Sequence, residues 1–286
     1  MCKGKKIKNL DKEFSLLKVG HCNHPEAMIM QGGSFKSIKF PAIVAVLQHP
    51  LKGVILFDTG YAKRFLNATK TFPECLYRWI TPMHLCEKEQ LPLQLKTMGI
   101  ETSDVKHIFI SHFHADHIAG LLDFSNAQFI CSKEAYLAFT KLRGFSALIK
   151  GYLPELLPSN SSSRIHFIED CNPVQLGTAM HPFHNAYDLF GDGFALAVPL
   201  PGHAHGHFGL LCHGQKKSQF LVADACWTEQ AFTNAARPKR IASIIMNDFN
   251  AYLETLENIS QLFSRNKEVN IIPSHCQQTY QRWLNE

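Results

Sequence analysis

The chain lacks what several large function classes require. No run approaches the ~18 apolar residues needed to span a bilayer, and the amino-terminal residues show no apolar secretory segment, so neither a membrane span nor secretion is expected. Runs of like charge long enough for a disordered tail or a nucleic-acid arm are missing as well. The formal net charge is only +5 over 286 residues, and its densest basic piece, Lys3, Lys5, Lys6 and Lys8, reads as a solvated terminus. Residues 1–13 are accordingly expected to be flexible, and no nucleic-acid partner is assigned. Cysteine occurs nine times, an odd number without a CxxC pair, which fits reduced thiols in a cytoplasmic enzyme better than a disulfide framework. Cys226 and Cys276 lie near candidate ligands, yet free cysteines of this kind usually serve as small buried hydrophobes.

Histidine is what the chain has in quantity, sixteen in all. Four of the residues from 112 to 117 are metal-ligand types: His112-Phe113-His114-Ala115-Asp116-His117. Three imidazoles and a carboxylate at this fixed spacing arise by chance in on the order of one in several hundred chains of such composition, so metal binding is preferred to coincidence. Residues two apart on an extended strand face the same way, and one ion can take both His112 and His114. A turn into a helix near Asp116 would swing that carboxylate and His117 toward a second position. Such donors suit zinc, iron, manganese or cobalt.

Other candidates arrive at the ends of apolar strands. Strands are predicted over Phe14–Gly20, Ile43–Gln48 and Gly53–Phe57, the last ending in Asp58-Thr59-Gly60. Asp58 either caps its own turn or accepts a hydrogen bond that orients a ligating histidine. Later strands are expected over 107–110, 127–131, 164–168, 194–199, 208–212, 218–223 and 269–272, with a hairpin through His181–His184. The turn 201–207 carries His203, His205 and His207 between glycines: His203 is read as a ligand, His205 as solvent-facing and His207 as a support. Asp224 follows a strand and is a natural bridging carboxylate, and His275 ends the last strand. Helices are predicted over 89–98, 133–157 and 248–263. The aromatic stretch 61–86 and the leucine-rich 141–163 read as loop or cap segments near the site. The serine-rich loop 158–163 is too short for a linker, so residues 1–286 are taken as a single domain.

These markers, in this order, resemble the metallo-β-lactamase superfamily over about Phe14–Cys276. The resemblance implies an α/β (α+β) fold, a four-layer αβ/βα sandwich in which two sheets lie between helices. It also implies two divalent metal ions, zinc foremost, one on His112, His114 and His203, the other on Asp116, His117 and His275, with Asp224 shared. Within the superfamily the pattern is most similar to N-acyl homoserine lactone lactonases, although these commonly place a Tyr where this chain has Trp227. The implied activity is a metal-bridging hydroxide that opens a lactone, or cleaves a related ester, of a small acyl-chain substrate. Asp116 and Asp224 would hold the catalytic geometry, and Trp227, Phe145 and Ile149 would contact substrate. A thioesterase or other hydrolase of the superfamily, or a catalytically weak ligand-binding member, is the alternative. Oligomeric state is left open.

Overall fold

In a computed structural model the described residues are 13–29, 33–213, 217–234, 237–239, 243 and 245–285; the basic stretch Lys3–Lys8 lies outside them. The strands fall into two sheets. Strands β1 (Phe14–Pro25), β2 (Ser37–His49), β3 (Gly53–Phe57), β4 (Met83–His84), β5 (Val105–Phe109), β6 (Gln128–Cys131) and β7 (Ile165–Phe167) form the first, in the order β4-β1-β2-β3-β5-β6-β7. The second contains β8 (Asn172–Gln175), β9 (Asn185–Asp188), β10 (Ala195–Pro199), β11 (Phe208–His213), β12 (Ser218–Ala223) and β13 (Val269–Pro273), in the order β13-β12-β11-β10-β9-β8.

Period-two alternation divides the strand side chains between two faces. On β2, Ile43, Ala45 and Leu47 share the core between the sheets with Ala195, Ala197, Leu210 and Ile272. Val44 and Val46, on the other face, pack with Leu95 of the helix Leu91–Thr97 and Phe139 of the helix Lys133–Lys141. The outer side of the second sheet sets Val198, Phe220 and Val222 against Leu256, Ile259 and Leu262 of the helix Phe249–Arg265. Burying each such aliphatic side chain contributes about 1.5–3 kcal/mol, so this helix is anchored by its apolar face. Helix, sheet, sheet, helix is the four-layer sandwich expected from the sequence.

Strand direction places the candidate residues. Strands β3, β5, β6 and β7 run parallel to one another, and β12 runs parallel to β13. Their carboxyl ends deliver Asp58, the 111–117 segment, Asp224 and His275, at the kind of edge where ligand sites gather in layered α/β proteins. The turn 200–207 joins β10 to β11, and because β11 is antiparallel to β12, with Leu210 opposite Leu221, that turn lies beside Asp224.

Two expectations need correction. The helix predicted over 133–157 ends at Lys141; Leu142 and Arg143 are extended, and a separate short helix, Gly144–Ile149, follows. Gly151 at φ 71° and Pro154 prevent it from continuing. The stretch 61–86 is less irregular than expected, since it holds the short helices Arg64–Ala68 and Cys75–Ile80. The hairpin at 181–184 is found, formed by β8 and β9 with Gln175 opposite Asn185. No helix among the described residues is long and apolar enough to cross a membrane.

Candidate metal centre

The local geometry of the His-rich motif follows from a change of backbone state. His114 is still extended (φ −67°, ψ 151°) where it caps the short helix Ala115–Ile118. His112 and His114 therefore stay together, with ring centroids 4.5 Å apart, and the helical turn brings the His117 ring back to 4.1 Å from that of His112, with its Nε2 beside Asp224 Oδ1. Gly151 packs against the His114 ring, where a Cβ would lie 2.9 Å from its Cδ2.

The turn bearing His203 is pressed onto the start of the helix Phe249–Arg265. A Cβ on Gly202 (φ 122°) would sit 2.1 Å from the Tyr252 nitrogen, so only glycine fits. Backbone N–H groups of Asn247 and Asp248 donate to the Gly202 carbonyl at 3.1 and 2.9 Å and lock the turn. Asp224 follows Ala223, whose φ of 47° is unusual for a residue other than glycine. Strain of about 1–3 kcal/mol is thus held at the residue that delivers the carboxylate.

The predicted ligands come together as two adjacent groups. His112, His114, His203 and Asp224 form one, and Asp116, His117 and His275 the other; within each, the donor atoms lie within 4.8 Å of one another. Asp224 faces both. Its Oδ2 is 3.2 Å from His203 Nε2, whereas its Oδ1 is 3.3 Å from His117 Nε2 and 3.0 Å from His275 Nε2. Asp116 Oδ2 lies 3.4 Å from His275 Nε2.

A ring of hydrogen bonds orients these donors from behind. Asp58 accepts from His117 Nδ1 at 2.7 Å and from the Ser111 N–H and hydroxyl at 2.8 Å each, so it orients a histidine and does not merely cap its own turn. His275 Nδ1 donates to the Pro41 carbonyl at 2.7 Å. Ser111 Oγ lies 3.0 Å from His112 Nδ1. His207 supports from further out: its Nε2 accepts the Asp224 backbone N–H at 3.3 Å. His205 faces outward and pairs with Glu134 at 3.3 Å. Cys226 and Cys276 belong to neither group. Both are buried, and Cys276 Sγ accepts the Glu229 and Thr279 N–H groups at 3.4 and 3.5 Å.

The donor set fits divalent cations. His112 Nε2, His117 Nε2 and Asp224 Oδ1 are buried without a hydrogen-bond partner, an arrangement that costs roughly 1–3 kcal/mol per group unless something compensates it. Burial, then the neighbouring imidazoles, hold His112 and His114 well below the usual imidazole range, which leaves them as the neutral donors metal binding requires. Burial opposes charge on His117 too, but the Asp58, Asp224 and Asp116 carboxylates outweigh it and raise its pKa well above normal. Asp224 is the converse: burial would raise it, while His275, His117 and His203 hold it well below the usual carboxylate range. A cation among these groups satisfies the same negative charge that otherwise demands a proton.

A cleft of about 140 Å³ opens onto the cluster. By chemistry its lining falls into a metal wall of His114, Asp116, His203, Asp224 and His275 with Trp227, and a second wall of Cys22, His24, Phe40, Tyr77, Thr81 and Ile245. Phe145 and Ile149, expected to contact substrate, are about half exposed (52% and 54%) and lie outside this lining; Phe145 packs edge-on against Phe72. Trp227 does line the cleft, but its Nε1 donates to Asp224 Oδ2 at 3.1 Å. Sequence reasoning missed the second wall. Cys22 and His24, two apart on β1, carried the same same-face signal as His112 and His114, without a motif around them.

Residues 42–228 match the metallo-β-lactamase superfamily, and together with the two-sheet sandwich this establishes that the chain belongs to that superfamily of metal-dependent hydrolases. It is similar to the N-acyl homoserine lactonase AttM of Azorhizobium caulinodans, with 28% identity over 221 residues that cover 76% of each protein. Its fold is similar to that of a solved N-acyl homoserine lactone hydrolase with N-hexanoyl-L-homoserine bound at the catalytic metal centre (TM-score 0.72, 19% identity, covering 95% of this chain and 96% of that one). It is also similar to AidC, a dizinc quorum-quenching lactonase (TM-score 0.65, 16% identity, covering 96% and 90%).

Proposed function

We propose that this chain is a two-metal hydrolase that opens the ring of an acyl homoserine lactone-like substrate. One observation carries the reading: the two oxygens of Asp224 face different sets of imidazoles. His112, His114 and His203 would hold one divalent cation and Asp116, His117 and His275 the other, with Asp224 shared. Zinc suits this nitrogen and oxygen donor set, as do iron, manganese and cobalt. When bound, the cations supply a water activated near neutral pH and a Lewis acid for an ester carbonyl.

The chain's own part is orientation and exclusion of water. Asp58 and the Pro41 carbonyl fix the rings of His117 and His275 through their outer nitrogens, which aims each Nε2 inward. Asp116 and Asp224 hold the donor geometry. Phe40 and Ile245 give the cleft an apolar side that suits an acyl chain. Tyr77 is half-buried in the cleft lining, and its phenol, whose pKa burial and then the nearby Asp116 carboxylate raise well above normal, would be a hydrogen-bond donor for a substrate oxygen. That role cannot fall to Trp227, whose N–H is already given to Asp224. The segments 61–86 and 141–163 act as caps of a single catalytic domain working in the cytoplasm; Lys150 in the second donates to the Met246 carbonyl at 3.1 Å, next to Ile245.

The named lactonase relative supports the substrate class. Incubating the zinc-loaded protein with hexanoyl and decanoyl homoserine lactones, and measuring the ring-opened acyl homoserine by mass spectrometry, tests it. Turnover should appear and should vanish with His112→Ala. Turnover of thioesters with untouched lactones would reassign the substrate, and no hydrolysis of any ester at full metal occupancy would contradict the enzyme reading.

A further inference from the structure

Trp227 stands three residues beyond Asp224 and returns to it, donating its indole N–H to Oδ2 at 3.1 Å. That oxygen is the one beside His203, at 3.2 Å. The other, Oδ1, lies beside His117 and His275 and has no hydrogen-bond partner. Packing holds the indole in place: it meets the His203 ring edge-on at 6.0 Å and the buried Tyr252 ring at 6.3 Å. An indole donates and does not accept, so it occupies one lone pair of Oδ2 without competing for a cation.

From this geometry we propose that Trp227 is a positioning residue of the metal centre. It holds Asp224 in the orientation that divides its two oxygens between the two groups of ligands, and it does not offer its N–H to substrate. The inference rests on the two-metal reading above. Without the indole donor the carboxylate loses a contact that fixes its rotation about the terminal bond, a torsion that is soft. The group of Asp116, His117 and His275, which has two imidazoles against three in the other group, then loses the more from an unsteady shared ligand.

Zinc titration of the metal-free protein against a chromophoric chelator tests this in wild type and Trp227→Phe. Partners that orient metal ligands are worth about 10–100-fold in affinity, so Trp227→Phe should bind one zinc nearly as tightly as wild type and the second at least ~10-fold more weakly. Two zinc ions bound equally well by both proteins would overturn the positioning role and leave the two-metal reading intact. A wild type that takes up fewer than two would instead sink the two-metal reading itself. Should Trp227→Phe fail to fold, the double variant Trp79→Phe/Trp283→Phe leaves Trp227 as the sole tryptophan of three. Its emission should shift as zinc is added, because the carboxylate it donates to shares its charge with the cations; unchanged emission through two equivalents would overturn the proposal.

Discussion

The two walls of the cleft are built by different means. On the metal wall donors arrive at strand ends and four of the seven have an orienting partner: His112 has Ser111, His117 has Asp58, His275 has the Pro41 carbonyl, and Asp224 has Trp227 and, through its backbone, His207. The second wall is held mainly by strand pairing and packing. Cys22 and His24 come from β1, Phe40 from β2, Tyr77 and Thr81 from the 61–86 segment, and Ile245 from the far end of the chain. Its contacts include packing such as His24 against the Phe40 ring at 6.3 Å. Metal chemistry needs donors at fixed angles and distances, whereas a substrate wall needs shape, which many residues can supply. The difference predicts that damage to the first wall removes activity and that damage to the second retunes it.

The largest effect should come from the metal wall itself. His203→Ala is expected to strip or weaken the metal held with His112 and His114 and to lower lactone turnover by about 10³-fold or more, while His205→Ala leaves metal content unchanged. Equal losses in both, measured by metal analysis, would mean that the wrong imidazole has been placed at the centre. Next in size is Asp58→Asn. Asparagine tolerates the left-handed backbone found at Asp58 (φ 59°), so the change reports on the carboxylate and not on strain. Metal affinity at the His117 group should fall about 10–100-fold. Affinity within a factor of two of wild type would show that bracing from behind contributes little.

On the second wall, Tyr77→Phe should raise KM several-fold, equivalent to about 1 kcal/mol for one lost hydrogen bond, with metal content unchanged. Loss of metal on that substitution would erase the distinction between the walls. The smallest effect is on pH dependence. Burial, with His203 nearby, holds His207 at about 3, below the ~6.5 of an unfolded chain. Because the unfolded chain takes the proton first, the stability this residue contributes is complete above ~6.5 and is lost as pH falls toward 3. The thermal midpoint of the metal-free protein should therefore drop between pH 7 and pH 5, and by less in His207→Gln. Identical drops in the two proteins would remove His207 from the account.

The contrast between the walls also explains how much was legible beforehand. His112, His114, Asp116 and His117 announce themselves because four ligand types stand within six residues, and Asp224 and His275 follow apolar strands whose ends are easy to read. Apolar strand runs and the helical period over 248–263 marked elements, while the layered fold came from the resemblance that the ordered markers carry. Asp58 could be narrowed only to two roles, since the choice depends on where His117, 59 residues away, is brought. The Pro41 carbonyl could not be found at all: every residue has a carbonyl, and nothing local marks one that receives a hydrogen bond from 234 residues further on. Phe145 and Ile149 were chosen for apolarity, and apolar side chains mark a cleft no better than a core or a surface patch. Trp227 lines the cleft, and its bond to Asp224 could not be read beforehand, because a sequence shows that an indole is present and not which acceptor its N–H meets.

The central claim is that one shared carboxylate joins two half-sites. Metal analysis of the purified protein after saturation with zinc and removal of excess tests it most directly. The account predicts two zinc ions per chain in the wild type and no more than one in Asp224→Ala. A saturated wild type that holds a single ion, or an Asp224→Ala variant that keeps two, would contradict it.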